Sequence, residues 1–129
     1  MRNNLDGLLA GLTILVVEDD YYQASDTQEA FELAGASVEG PFSTVPEATN
    51  AVERTTPDCA VIDINLGDGP QFDLARQLKK QGIPTVLLSG YQTTMIPVDL
   101  QDLCHLEKPA ERPALIRAIR GVTQGARRR

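Results

Sequence analysis

Five short apolar runs, separated by segments of helix length, constrain the fold of this chain more than any other feature of its sequence. They lie at about 12–17, 36–42, 58–64, 84–89 and 103–107. Runs of this length that are rich in β-branched residues favour strands that are covered on both faces. Strands that alternate with helices favour a parallel sheet with helices packed on both sides. The sequence therefore predicts an α/β fold with five strands.

Helices are predicted between these strands. The intervals are Tyr22–Ala34, about 45–54, Pro70 to Gly82, and 113–120. Gly35 is a typical helix stop, and Ser43 or Thr44 can cap the second helix. Pro70 suits the first position of the third helix. Asp20 is interpreted as a capping or supporting acid for the first helix, and not as a ligand.

Two segments are expected to be irregular. Gly40-Pro41 interrupts the second apolar run, and a proline cannot donate a hydrogen bond to its neighbour, so this run is expected at an edge or a strand end. Between Gly90 and Asp102 a helix is possible, but Pro97 limits its length. We therefore expect a short or irregular fourth helix.

Composition and length define the class of protein. The chain has 129 residues and a net charge of −6, and its only basic concentration is the terminal Arg127-Arg128-Arg129. The rest of the sequence lacks the cluster of basic residues that is typical of nucleic-acid binding. No apolar run approaches the ~18 residues of a membrane span, and no secretion signal is recognisable. We expect a cytoplasmic protein that binds neither nucleic acid nor membrane, with Cys59 and Cys104 as reduced, buried hydrophobes.

The expected domain organisation is simple. Residues 1–11 form an N-terminal extension, 12–122 a single folded domain, and 123–129 a basic tail. Both ends are expected to be loose. Alternatively, Leu5, Leu8 and Leu9 dock on the domain as an extra turn.

Side chains suited to chemistry stand at the ends of the predicted strands. The first strand is followed by Glu18 and Asp19, the third ends in Asp63, the fourth in Ser89, and the fifth is followed by Lys108. The carboxyl ends of parallel strands lie at one edge, where open α/β sheets bind their ligands. These five side chains are therefore expected to converge.

The convergent set favours a metal ion and a phosphoryl group. Three neighbouring acids would raise one another's pKa sharply unless a divalent cation neutralised them. Oxygen ligands favour Mg²⁺ or Mn²⁺, which are often shared with a phosphate. Lys108 and Ser89 suit a negative oxygen opposite the metal, and Asp63 could attack phosphorus.

The segments LTILVVEDD, CAVIDINLGDG, PTVLLSGY and LEKP, in this order and spacing, resemble the receiver domain of two-component response regulators over roughly residues 12–121. The resemblance implies a flavodoxin-like (βα)5 fold of three layers with strand order 2-1-3-4-5. It implies a signalling phosphoacceptor and not an enzyme for external substrates. Its phosphoryl donor would be a phosphohistidine of a sensor histidine kinase or a histidine phosphotransfer protein. It would dephosphorylate itself and bind a downstream protein through the fourth helix, fifth strand and last helix.

The resemblance also assigns roles in the phosphoryl and metal site. Asp63 would be the phosphoacceptor. Glu18, Asp19 and Asp63 would hold Mg²⁺ together with the backbone carbonyl of Asn65. Asn65 and Tyr91 would flank the attacking water and so tune the lifetime of the phosphoryl group.

Further roles follow from the same resemblance. Ser89 would bind the phosphoryl group, Lys108 would pair with its oxygens, and the Lys108-Pro109 peptide bond would be cis. Ser89 and the residue on the fifth strand would form the switch. That residue is commonly Tyr or Phe, and here it is His105, which is either a switch residue or a histidine that merely fills an aromatic position.

Other functions stay open at this stage. A degenerate receiver would bind its partner without phosphorylation. A fragment of a larger regulator would have an effector elsewhere, although nothing of domain size follows residue 122 in this sequence. A stand-alone phosphatase is disfavoured because Asn65 stands where a second acid would be needed.

Overall fold

The strands form one parallel sheet in the computed structural model, which describes residues 5–67, 70–90 and 96–127. They are β1 Thr13–Val17, β2 Ser37–Phe42, β3 Cys59–Asp63, β4 Thr85–Ser89 and β5 Cys104–Glu107. The order across the sheet is β2-β1-β3-β4-β5, and every neighbouring pair is parallel. The predicted fold class and strand order are confirmed. Tyr91 lies outside the described residues.

Four α-helices and one short 3₁₀ helix connect and follow these strands in the described part of the chain. They are α1 Tyr21–Leu33, α2 Val45–Arg54, α3 Asp73–Lys80, the 3₁₀ helix Val98–Leu100, and α4 Arg112–Arg127. Within these described ranges no helix is long and apolar enough to cross a membrane.

The sheet separates two buried clusters because successive side chains of a strand point to opposite faces. One cluster joins the sheet to α1 and α4 and includes Ile14, Val16, Phe31, Val61 and Ile119. The other joins the sheet to α2, α3 and the 3₁₀ helix and includes Leu15, Val17, Ile62, Leu78 and Leu100. These two clusters cover both faces of the sheet, in which β1, β3 and β4 lie side by side.

Local capping signals define the starts of the first two helices. The carboxylate of Asp20 accepts from the Gln23 amide at 3.0 Å, and the Thr44 hydroxyl accepts from the Glu47 amide at 3.4 Å. Both groups satisfy amides that have no partner within the helix. Asp20 is thus a cap, as predicted, and the second helix begins where the sequence indicated.

β2 lies at an edge of the sheet, as Pro41 indicated. The strand nevertheless continues through Gly40-Pro41, with a register shift between Leu15 and Val17 of the neighbouring strand. Gly40 has φ +104°, and a Cβ there would lie 2.8 Å from the carbonyl oxygen of Val16. Only glycine fits this passage, because both the backbone conformation and the space exclude a side chain.

One helix prediction is corrected by the structure and another is confirmed. The third helix begins at Asp73 and not at Pro70, which instead forms an isolated bridge with Asn65. This pairing holds Pro70 in extended backbone and delays the helix by one turn. Between β4 and β5 the described residues form only the 3₁₀ helix, so the irregularity that Pro97 indicated is present there.

Both ends of the described chain are more ordered than a loose extension and tail. Leu9 is fully buried, its amide donates to the Ala34 carbonyl at 2.9 Å, and Leu5 and Leu8 pack against the same cluster. Docking as an extra turn is therefore the correct alternative. α4 continues beyond residue 122, with Thr123 buried.

Candidate phosphoacceptor site

Three carboxylates meet at the carboxyl edge of the sheet. Glu18, Asp19 and Asp63 each offer an oxygen that lies within 4.8 Å of the others. Glu18 and Asp63 are only 5% and 4% exposed, whereas Asp19 is exposed to solvent. The parallel topology brings them together because β1 and β3 are neighbours with aligned ends. The resulting cluster is a buried pair of acids with one open side.

Lys108 joins the two buried acids. Its Nζ lies 2.7 Å from Glu18 Oε1 and 2.7 Å from Asp63 Oδ2. Its amide donates to the Ser89 carbonyl at 2.7 Å, which fixes the chain at the end of β4. The peptide bond between Lys108 and Pro109 is cis. The ammonium group thus provides positive charge between two carboxylates.

Burial sets the electrostatics of this pair. It raises the pKa of Glu18 from 4.5 to about 7, and the nearby Asp63 adds to this, while the hydrogen bonds from Lys108 and the Asp20 amide oppose it. Burial disfavours the charged form of Lys108, but its hydrogen bonds to Asp63 and Glu18 outweigh that cost, so its pKa is raised. Without additional positive charge, Glu18 therefore retains a proton up to about neutral pH.

Backbone amides orient the carboxylates. The Asn65 amide donates to Asp63 Oδ1 at 2.8 Å, the Asp20 amide to Glu18 Oε2 at 3.1 Å, and the Gly67 amide to Asp19 Oδ2 at 3.4 Å. Asp63 is therefore held on both sides, by an amide at one oxygen and by Lys108 at the other. Such a fixed carboxylate needs no reorganisation before it reacts.

The side chain of Asn65 links two loops of the site. Its Oδ1 accepts from the Gly90 amide at 3.1 Å, across 25 residues of sequence. Gly90 was not among the predicted site residues. A glycine that follows a strand-ending serine was the only available signal, and it does not reveal which acceptor its amide would meet.

Ser89 and His105 are in direct contact. Ser89 is fully buried at the end of β4, and its Oγ lies 2.5 Å from Nε2 of His105 on β5. His105 itself is exposed. The two predicted switch residues therefore share one hydrogen bond across neighbouring parallel strands.

The donor set fits a small divalent cation. It consists of carboxylate oxygens, has one exposed member through which an ion can enter, and contains no sulfur or imidazole within the cluster of Glu18, Asp19 and Asp63. Mg²⁺ prefers one or two carboxylates together with water and phosphate oxygens. A ligand role for the Asn65 carbonyl stays a prediction.

The fold and site together define an α/β domain that presents three acids and a lysine at the carboxyl edge of a parallel sheet, where open α/β sheets bind their ligands. The sequence profile of the response regulator receiver domain matches residues 14–120. The chain belongs to this family. Receiver domains are signalling phosphoacceptors that histidine kinases phosphorylate, and the family binds Mg²⁺ at its acidic pocket.

Similarity to individual proteins supports the assignment to this family. The acid tolerance regulatory protein ActR of Sinorhizobium medicae (strain WSM419) is 31% identical over 112 residues, which make up 83% of this chain and 57% of ActR. The chain thus spans little more than half the length of this curated relative. The solution structure of SdrG from Sphingomonas melonis Fr1 aligns with a TM-score of 0.70 and 25% identity, over 88% of this chain and 96% of SdrG.

A further solved structure supports the fold. The crystal structure of a response regulator receiver protein from Sinorhizobium medicae WSM419 aligns with a TM-score of 0.75 and 23% identity. The alignment covers 89% of this chain and 96% of that one. At this identity the comparison concerns the path of the backbone.

Proposed function

We propose that this chain is a Mg²⁺-dependent phosphorylation switch in which Asp63 accepts a phosphoryl group from a phosphohistidine of a sensor kinase or phosphotransfer protein. One observation carries the proposal: Asp63 is buried, lies 2.7 Å from the ammonium group of Lys108, and shares a metal-sized cluster with Glu18 and Asp19. A carboxylate in such surroundings can form an acyl phosphate, because the charge that builds up on phosphorus oxygens is balanced on two sides.

In this mechanism an oxygen of Asp63 forms a bond to phosphorus while the bond between phosphorus and the donor imidazole nitrogen breaks. When bound, Mg²⁺ would supply positive charge next to the phosphoryl oxygens, and Glu18, Asp19, Asp63 and the Asn65 carbonyl would hold it. The amide of Asn65 keeps the carboxylate in place from the other oxygen. The chain contributes position and charge more than covalent chemistry.

The ammonium group of Lys108 would change its partner during phosphoryl transfer. Before transfer its ammonium group pairs with Asp63 and Glu18. After transfer the phosphoryl oxygens carry more negative charge than the acylated Asp63, so the ammonium would pair with them. This change of partner would keep the ammonium charge next to the most negative oxygens of the site, so that the lysine and the cation would balance the phosphoryl group together.

The signal would leave the site through Ser89. We infer that its hydroxyl donates to a phosphoryl oxygen, that His105 repacks, and that the surface of the 3₁₀ helix, β5 and α4 binds a downstream protein in response. Asn65 and Tyr91 would flank the water that hydrolyses the acyl phosphate and so set its lifetime.

The cellular setting is also part of the proposal. Both cysteines are free, which fits the reducing cytoplasm. A net charge of −6 favours protein partners over nucleic acid. We therefore propose a cytoplasmic protein that acts through protein contacts.

Intact-mass spectrometry after incubation with acetyl phosphate and Mg²⁺ tests the assignment. The wild type should gain one phosphoryl group, and Asp63→Asn or excess chelator should prevent the gain. Asp73→Asn is a matched control because the Asp73 side chain is 93% exposed and is not a member of the cluster of Glu18, Asp19 and Asp63. Equal incorporation in wild type and Asp63→Asn would refute Asp63 as acceptor, and release of many phosphates per chain would indicate a phosphatase instead.

A further inference from the structure

The hydroxyl of Ser89 has one proton and an imidazole nitrogen within reach. Its Oγ lies 2.5 Å from His105 Nε2, in a position where Ser89 is fully buried. A serine hydroxyl can donate only one hydrogen bond, whereas a neutral imidazole carries one N–H and one bare nitrogen. The partner of Ser89 thus decides whether that single proton is available to anything else.

A phosphoryl group on Asp63 would need the same proton. Phosphoryl oxygens at neutral pH only accept hydrogen bonds, so Ser89 can contact them only as a donor. Ser89 directly follows Leu88, the β4 residue that pairs with Asp63, and so stands at the edge where that group would form. An Nε2 atom that accepts from Ser89 would therefore compete with the phosphoryl oxygen for one donor.

We propose, on the basis of the function proposed above, that His105 is a positioning residue that holds the Ser89 hydroxyl in the unphosphorylated protein, and that the phosphoryl group displaces it. In the resting state Nε2 is the bare nitrogen and accepts from Ser89, so the ring proton is on Nδ1. On phosphorylation the hydroxyl donates to an oxygen of the phosphoryl group instead. Nε2 then loses its hydrogen bond from Ser89. Because His105 is exposed on the edge strand β5, the released ring is free to turn towards solvent.

This arrangement gives the histidine a role that a filler residue would not have. A phenylalanine in its place has no acceptor for the Ser89 proton, so it would leave the hydroxyl available at all times. His105 would therefore lower the affinity of the resting site for a phosphoryl group. The difference should be about five-fold, the value of one net hydrogen bond.

Nuclear magnetic resonance can observe the bond directly because the chain has one histidine. In untagged, ¹⁵N-labelled protein, long-range ¹H–¹⁵N correlations should show the Nδ1–H tautomer. Ser89→Ala should move the Nε2 resonance downfield, towards that of an unbonded ring nitrogen. Addition of Mg²⁺ and beryllofluoride, a phosphoryl analogue, should produce the same move in the wild type. An Nε2 chemical shift that is the same in the wild type and in Ser89→Ala would overturn the inference.

Binding of Mg²⁺ and beryllofluoride, measured by titration, provides a second and independent test. His105→Phe should bind the analogue about five-fold more tightly than the wild type. In a Ser89→Ala background the same substitution should change nothing, because the effect passes through the hydroxyl. An equal effect in both backgrounds would overturn the inference. If His105→Phe does not fold, the resonance experiment on the wild type and Ser89→Ala still decides.

The two proposals fail in different ways. A wild type that does not bind Mg²⁺ and beryllofluoride would refute the proposed function and the exchange of partners with it. A wild type that binds the analogue without any change in its imidazole signal would leave the proposed function standing and refute the exchange alone.

Discussion

Lys108 and Glu18, 90 residues apart in the sequence, are joined by a salt bridge of 2.7 Å at the carboxyl edge of the sheet. The same ammonium group lies 2.7 Å from Asp63. The lysine thus places its positive charge between two buried carboxylates. A bound cation would add positive charge next to the same carboxylates.

Removal of the Lys108 charge should destabilise the metal-free protein. In Lys108→Met, Glu18 and Asp63 lose their counter-charge while they remain buried, and at about pH 8 this should lower the free energy of unfolding by about 3 kcal/mol. Addition of Mg²⁺ should restore much of that loss. Urea denaturation with and without Mg²⁺ measures both values.

Lys79→Met is the matched control for this experiment. Lys79 also forms a salt bridge, to Asp102, but the two side chains are 38% and 67% exposed. Its loss should cost no more than about 1 kcal/mol, and Mg²⁺ should not affect it. Similar losses in both variants, or no response of Lys108→Met to Mg²⁺, would contradict the proposed charge balance.

The raised pKa of Glu18 predicts a pH dependence of stability. Its pKa is about 7 in the folded protein and 4.5 as an ordinary carboxyl group. Between these values the folded state binds the proton and the unfolded state does not, so the contribution of Glu18 to the free energy of unfolding falls as pH rises, by up to about 1.4 kcal/mol per pH unit.

Glu18→Gln isolates this contribution because the amide cannot ionise. The stability advantage of the variant over the wild type, without metal, should grow between about pH 5 and about pH 7 and then level off. Chemical denaturation at several pH values measures it. Parallel curves for the two proteins would show that Glu18 ionises normally in the folded state.

The N-terminal segment should contribute to stability. Leu9 is fully buried against the α1 and α4 side of the sheet. Leu9→Ala should therefore lower the free energy of unfolding by about 2–5 kcal/mol. Leu33→Ala serves as control, since Leu33 is 65% exposed and should change stability by less than about 0.5 kcal/mol. A Leu9→Ala effect as small as the control would mean that the segment does not dock in solution.

The two thiols should differ in reactivity. Burial, with a smaller contribution from Asp58, raises the pKa of Cys59 to about 12, and burial also raises the pKa of the half-buried Cys104. A thiol reagent that attacks the thiolate should therefore modify Cys104 slowly and Cys59 only after unfolding. A colorimetric thiol assay on the wild type and Cys104→Ser, with and without urea, measures this. Rapid native modification of Cys59 would contradict its burial.

The strands were predictable from the sequence because they follow from local patterns, whereas their order was implied by the resemblance to receiver domains. Apolar runs mark buried strands, and alternation with helices implies the parallel sheet. The convergence of Glu18, Asp63 and Lys108 follows from that topology, since it requires only that parallel strands end at the same edge.

Predictions that depended on one local preference were less secure. Pro70 is well suited to a helix start, yet its bridge with Asn65 keeps it extended. The leucines of the N-terminal segment were apolar enough to be buried, but burial required a site formed by α1 and α4. A partner outside the local pattern of the segment decided the outcome in each case.

The sequence by itself determined the sheet, its carboxyl edge, and the types of side chain gathered there, because strand periodicity and topology depend on local composition. Only the tertiary structure decided which atoms share hydrogen bonds: Ser89 with His105, 16 residues away, and Asn65 with Gly90, 25 residues away. A hydrogen bond depends on distance and direction to a fraction of an ångström. The packing of two clusters against the sheet sets those quantities, and no local pattern contains them.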